Sequence, residues 1–393
     1  MPRDFIAEKA RYFTESVIRE MTRLAAKYGA INLSQGYPDF PAPEAIKEAA
    51  RRAITADINQ YAITWGAKEL REALCRKYAK YNGISADPEK NVTVTCGATE
   101  AMMSTMCAII NPGDEVVIFE PFYENYGPDV LLSGATPRFV TLREPDWSFD
   151  EGELARAFNN KTKAIVINTP NNPTGKVFTR AELEFIAGLC RKWDTLAVTD
   201  EVYEHILYEG THVSMATLEG MAERTITTSS LSKTFCITGW RLGYSIAPEK
   251  IAPAIRKMHD FMTVGAPHPL QVAAAALMDR PEGLFEGLSK EYLERRELFY
   301  PVLVETGFKP IRKPAGAYYV MCDISGFGFR TDTEFAQWLT EVGGVATVPG
   351  SSFYRDPRRG YDKVRFAFCK KLDTLRAAAE KLRRLPPPPR TAK

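Results

Sequence analysis

Five short runs limit what this chain can fold into: NVTVTC, EVVIFE, KAIVIN, TLAVT and TITTS, starting at residues 91, 115, 163, 195 and 225. They are β-branched and largely apolar, and a strand of that kind offers no polar face to water. Segments of helical periodicity separate them, among them TEAMMSTMCAII and RAELEFIAGLCRKW. Strands buried on both faces and spaced by helices predict an α/β fold with a mostly parallel central sheet covered by helices.

The pattern changes on either side of that block. Residues 8–28 read as helical, INLSQGYPDFPAPE as an irregular Gly/Pro segment, and PEAIKEAARRA and AKELREALCRKYAKY as amphipathic helices. Beyond about residue 283 a long helix, GLSKEYLERRELFYPVLVETG, leads into AYYVMC, TEFAQWLTEVG, VATVPG, KVRFAFC and LDTLRAAAEKLRRL, an α+β alternation. A chain of 393 residues exceeds what one core usually serves. The expected division is an N-terminal segment (1–45) packing with a small domain, a large domain (46–282) and a smaller α+β domain (283–385). A disordered tail (386–393) is expected where LPPPP stops the last helix.

A formal net charge of +2 gives no reason to expect nucleic acid. The seven cysteines are dispersed without CxxC spacing, as free thiols in a reducing compartment would be. The opening MPRDFIAEKARYF has no continuous apolar run of the signal-peptide kind, and no run approaches the roughly 18 residues of a membrane span. A cytoplasmic protein without a membrane partner is expected.

The chemistry gathers around SSLSKTFCITGWRLGY, residues 229–244, which joins the TITTS run to a further strand, LGYSIA. By position alone Lys233 is an ordinary solvated charge. Its neighbours Ser230, Ser232 and Arg241, however, supply the hydroxyls and planar guanidinium that suit a phosphate. A lysine in such a cationic, partly desolvated place has a lowered pKa and a free amine for Schiff-base formation. Asp200 closes the strand LAVTD; alone it fits a helix cap, a magnesium ligand or the partner of a protonated ring nitrogen. Tyr203, three residues on, can donate to a ring oxygen. Gly97 ends a strand where Ala98 and Thr99 open a helix, whose free N–H groups and dipole favour an anion. Asn172 in INTPNNPTGKVF can donate an amide hydrogen bond, or can simply shape a Pro turn. The GK of that segment is followed by valine, no GxGxxG follows a strand, and the four histidines form no HExxH, so neither a nucleotide loop nor a metal site is expected.

Together with NQYAITWG, EPFYENY and TGWRLGY, these motifs resemble the class I/II pyridoxal-phosphate aminotransferases of fold type I, in particular the kynurenine aminotransferase (glutamine transaminase K) branch. The resemblance runs from NLSQGYPDFPAP to KVRFAFCK, most of the chain. It implies pyridoxal 5′-phosphate as cofactor, with Lys233 as Schiff-base lysine and proton shuttle and Asp200 opposite the pyridine nitrogen. Tyr203 and Asn172 would meet the ring hydroxyl, Tyr123 would stack on the ring, and Ala98, Thr99, Ser230 and Arg241 would hold the phosphate. Tyr61 would reach the phosphate of a neighbouring subunit, which implies a homodimer with shared active sites. Arg365 would clamp the substrate carboxylate, with Asn172 and Gly36 beside it.

The implied reaction moves the amino group of an L-amino acid to a 2-oxo acid by a ping-pong route. Aromatic, large apolar, aspartate or glutamine donors all fit the resemblance. Tyr12, Phe13, Tyr37, Trp65 and Tyr126 form an aromatic set suited to large side chains, although Val264 and Gly265 stand where the mammalian enzymes of this branch carry an aromatic and a histidine. Two alternatives share the cofactor. A cysteine-S-conjugate or cystathionine β-lyase would use the same electron sink, whereas a pyridoxal-phosphate-binding transcription regulator would need a DNA-binding domain ahead of residue 31.

Overall fold

All five apolar runs form strands, and the order in which they pair decides where their ends meet. The computed structural model describes residues 4–278 and 284–388. The chain enters through α1 (Val17–Tyr28), β1 (Ile31–Asn32), α2 (Glu44–Thr55) and α3 (Lys68–Lys77). There follow β2 (Val92–Thr95), α4 (Ala98–Ile109), β3 (Glu115–Glu120), α5 (Tyr126–Leu132), β4 (Thr136–Thr141), α6 (Glu151–Ala157) and β5 (Thr162–Asn168). Next come α7 (Arg180–Trp193), β6 (Leu196–Asp200), β7 (Thr225–Ser230), α8 (Leu231–Thr234) and β8 (Gly243–Ile246).

These seven strands, β2 to β8, make one sheet in the order β2-β8-β7-β6-β5-β3-β4. Its neighbours run parallel except where β8 pairs antiparallel with β2 and β7. Every residue of β3 and β7 is buried, as expected of strands covered on both faces. Each buried Val or Ile there contributes roughly 1.5–3 kcal/mol. The sheet is therefore α/β and mostly parallel, as its runs predict. The parallel strands β2, β5, β6 and β7 deliver their C-terminal ends to one side, where open α/β sheets bind ligands.

After α9 (Ala252–Thr263), α10 (His268–Met278) and α11 (Leu284–Glu305), the remaining strands are β9 (Lys309–Pro310), β10 (Tyr319–Asp323), β11 (Val345–Ala346), β12 (Val348–Pro349) and β13 (Lys363–Ala367), with α12 (Asp332–Glu341) and α13 (Leu372–Arg383). They build an antiparallel sheet in the order β12-β13-β10-β9, while β11 pairs with β1, so the N-terminal segment lies against this part of the molecule. Phe299, Phe308, Phe335 and Phe366 pack in its core. The pleat divides β13: Val364 and Phe366 face that core, and Arg365, paired across from Met321, faces the large sheet.

Several details differ from expectation. The helix over 8–28 is a short 3₁₀ turn, Glu8–Arg11, and then α1, because Ser16 caps α1 by accepting from Arg19 N at 3.3 Å. The run AKELREALCRKYAKY leaves α-helical geometry after Lys77 and closes in a π turn, Tyr78–Asn82, ended by a left-handed Gly83. VATVPG splits into β11 and β12. The boundary expected at 282/283 lies outside the described residues, as do residues 389–393 of the expected tail. Among the described residues no helix is long and apolar enough to cross a membrane.

Candidate active site

The strand ends open into a cavity of about 800 Å³ between the two sheets and the N-terminal segment. Its walls include Ala98, Thr99, Tyr123, Asn172, Asp200 and Tyr203, and beyond them Ser230, Lys233, Arg241, Gly36 and Arg365. Eleven of the twelve expected site residues thus meet in one place. The twelfth, Tyr61, is 80% exposed and lies outside this wall.

At one end, Gly97 stands at φ 88° and lets α4 start with its first amides facing the cavity. A side chain there would collide with the Arg241 guanidinium, and one at Gly243 on β8 would sit 2.3 Å from Ala98 N. Two missing side chains therefore bring a helix N-terminus, a strand and an arginine together, an arrangement that favours an anion. Arg241 donates to Thr238 O (2.9 Å) and Cys96 O (3.3 Å), which hold it over the turn. Ser230 departs from the expected picture: its hydroxyl lies 2.8 Å from Leu242 O and 2.7 Å from Ser232 Oγ, and it caps α8.

Lys233, on the single turn of α8, extends its amine to Gly36 O at 3.0 Å, the carbonyl that also accepts from Tyr318 OH. Burial pushes its pKa down to about 8; Cys369 and Asp200 oppose that shift, and Arg241 and Arg365 reinforce it. Asp200 ends β6 with Oδ2 accepting from Tyr126 OH at 2.7 Å and Oδ1 buried without a partner. Burial raises this carboxyl to about 6, against the Tyr126 hydrogen bond. Tyr203 OH lies 2.8 Å from Tyr319 OH, and Tyr123 meets Tyr126 edge to face.

Arg365 does not face solvent. Fully buried, it donates to Asn172 Oδ1 at 2.8 Å and to Ser34 O at 2.5 Å, and it packs over Tyr319. Among the described residues no carboxylate pairs with it, so it is a buried cation with capacity for an anion at the cavity.

Four contributors went unread in the sequence. Tyr126, counted above only among the aromatics, is the partner of Asp200. Tyr319 and Asp129 line the cavity, and Lys370 ties down its mouth by donating to Gln35 O and Tyr37 O. Tyr126 was within reach, three residues beyond Tyr123, whose ring it meets edge to face. The rest of the aromatic set divides. Tyr37 lines the cavity; Tyr12 and Phe13 are exposed elsewhere, and Trp65 is stacked beneath Arg256. Glu201, Glu204 and His212 also cluster, within 4.8 Å of one another, but their oxygens are taken up by Thr199, Ser214, Asn82 and Lys77.

A lysine amine, a buried carboxyl, an anion cradle and a buried arginine thus share one cavity at the strand ends of a mostly parallel sheet. The chain belongs to the aminotransferases of class I and II, whose family model matches residues 28–382. It is 39% identical to kynurenine–oxoglutarate transaminase 3 of Mus musculus over 95% of this chain and 89% of that protein. With the methionine aminotransferase of Escherichia coli it shares 35% identity, over 94% and 96% of the two chains. The solved N-succinyldiaminopimelate aminotransferase from Mycobacterium tuberculosis superimposes with a TM-score of 0.94 at 36% identity, covering 97% of this chain and all of that one. The protein is a pyridoxal-phosphate-dependent aminotransferase.

Proposed function

We propose that this cavity transfers the amino group of aromatic and large apolar L-amino acids to 2-oxo acids, 2-oxoglutarate among them, with aspartate and glutamine as further donors. The observation that carries the reading is the meeting of Lys233, Asp200 and Arg365 in one cavity. The names of the relatives, which span kynurenine, methionine and N-succinyldiaminopimelate, support a broad donor range.

The residues present fit pyridoxal 5′-phosphate: the unpartnered Asp200 Oδ1 can accept from a ring N–H, and the α4 turn with Arg241 can take the phosphate. When bound, that group supplies an aldehyde for the amino group and a ring that draws electrons from the α-carbon. Lys233 would hold that group, and its amine, when free, would take the α-proton of the substrate and give it back. Asp200 keeps the proton on the ring nitrogen. Tyr203 and the amide of Asn172 would hold the ring hydroxyl, and Tyr123 would pack on the ring. Ala98, Thr99, Arg241 and Ser230, after a turn of its hydroxyl, hold the phosphate, joined by Tyr61 from a second copy of the chain. Arg365 holds the substrate carboxylate with Asn172 and the Gly36 segment, which fixes the α-hydrogen toward Lys233.

The test is the first half-reaction. Loaded enzyme given an amino donor alone should yield one 2-oxo acid per site and the pyridoxamine form of the cofactor, and a panel of donors against several 2-oxo acids then ranks substrates. Stoichiometric pyruvate and ammonia from a cysteine conjugate, without that conversion, would instead establish a β-lyase.

A further inference from the structure

One buried side chain in the cavity has no task in the reading above. Asp129 lies on α5 one helical turn beyond Tyr126; it is 4% exposed and lines the same cavity. Its carboxyl accepts no hydrogen bond from the described residues, and Oδ2 is sealed from solvent without a partner. Tyr126 meanwhile donates to Asp200, whose own Oδ1 is also buried and unpartnered. Two carboxyls with unused acceptor capacity thus share one desolvated end of the site.

Such a pair cannot carry two charges cheaply. Burial first, and then the charge of Asp200, push Asp129 up to about 8, and burial raises Asp200 to about 6. As an interacting pair they titrate together, so near neutral pH the free cavity holds about one negative charge on two carboxyls. The other ionisable groups on the elements packed against α5 are engaged elsewhere. On α4, Glu100 meets His259, and Cys107 lies 3.6 Å from Ser133 Oγ. On β3 and β4, Glu115 pairs with Arg138, and Glu120 accepts from Arg355 N. The groups that remain facing this end are the Tyr123, Tyr126 and Tyr203 hydroxyls, whose pKa values burial drives up, Lys233 across the cavity, and Glu201, whose charge also raises Asp200.

We propose that Asp129 is a positioning residue for the ring-nitrogen end of the site: it holds a proton while the cavity is free of cofactor and releases it when a protonated ring nitrogen seats against Asp200. The inference rests on the assignment of Asp200 to that nitrogen. The Asp129 O–H bond breaks and the proton goes to solvent. The region passes from one negative charge on two carboxyls to two negative charges beside one positive, so its net charge is unchanged. The second carboxylate then adds its Coulomb attraction to that of Asp200 and keeps the ring nitrogen protonated more firmly than one acid alone.

The test titrates pyridoxal 5′-phosphate into cofactor-free enzyme by calorimetry at pH 7 in two buffers of different ionisation enthalpy. Wild type should release about one proton per site more than Asp129→Asn, and below pH 8 its affinity should climb about tenfold more steeply per pH unit. Equal proton counts overturn the proposal. If the Asn variant does not fold, Asp129→Met, which removes the acid and fills its space, serves in the same comparison. Asp200→Asn separates the two readings. If it runs the amino-donor half-reaction at the wild-type rate, the assignment of Asp200 has failed. If it loses that reaction while Asp129→Asn matches the wild-type proton count, only the role of Asp129 has failed.

Discussion

The Lys233 amine is set apart by its surroundings: a carbonyl at 3.0 Å, two arginines along the wall and no direct carboxylate contact among the described residues. With its pKa brought down to about 8 by burial, most of it is still ammonium at pH 7, and the free-amine fraction falls tenfold for each unit below 8. The rate at which cofactor-free enzyme captures pyridoxal 5′-phosphate should therefore rise about tenfold per pH unit up to about pH 8 and level off beyond it. Stopped-flow absorbance checks this, and a rise continuing to pH 10 would mean an unperturbed lysine. Lys233 stood out in the sequence as a candidate because serines and an arginine lie within eight residues of it. Asp129 and the Tyr126–Asp200 contact were not legible, since a carboxyl in a short helix reads as a solvated charge until a strand end from seventy residues later is set beside it.

Elements hold these side chains in place through a buried polar network behind β6. Lys77, at the end of α3, pairs with Glu204 at 2.6 Å, both side chains only 4% exposed, and Asn82 donates to the other Glu204 oxygen at 2.5 Å. Ser214 and His212 meet Glu201 at 2.7 Å each. Glu201 and Glu204 flank Tyr203, so the network fixes the turn that aims Tyr203 at the cavity. Burial would raise the Glu204 pKa, but Lys77, aided by His205 and His212, outweighs it and holds the carboxyl down at about 2. Lys77→Met should leave an uncompensated buried charge and cost about 3–5 kcal/mol, whereas Lys77→Met with Glu204→Leu should recover much of that loss. Because the folded pKa of Glu204 is depressed, its share of stability is present above pH 4.5 and is lost as pH falls toward 2. Urea unfolding of the three proteins at pH 7 and pH 3 measures both effects, and a Lys77→Met as stable as wild type would show the pair to be incidental. Interior strands were readable from composition because their β-branched, largely apolar residues are buried on both faces and leave no polar face to water. The exception is β4, TPRFVT, an edge strand with alternate residues exposed and a proline in it, which carries neither signal.

At the scale of the whole molecule, Tyr61 is the expected site residue that its own cavity does not hold. It is 80% exposed, and Ile63, Phe261 (92%), Met262 and Val264 are further exposed apolar residues on two stretches that meet in a patch. His268 Nδ1 and His259 Nε2 donate to the carbonyls of Gln60 and Thr64, both at 2.9 Å, and tie the two halves of the patch together. Val264 and Gly265, where the chain departs from the mammalian pattern, do not line the cavity, and Val264 is 48% exposed. A second copy covering the patch would carry Tyr61 to the neighbour's phosphate end. The sharing is testable by mixing two inactive proteins, Lys233→Ala and, at limiting cofactor, Tyr61→Ala. In a mixed dimer one site receives both defects, while the other receives an intact Lys233 from one chain and an intact Tyr61 from its partner. Random reassortment makes half of the dimers mixed, each with one sound site of two, so activity should return to about a quarter of wild type after unfolding and refolding the proteins together. If Tyr61 instead serves the cavity of its own chain, each mixed-dimer site carries one defect and no activity returns. The same null result from proteins shown by sedimentation to be monomers would remove the shared site and the dimer together.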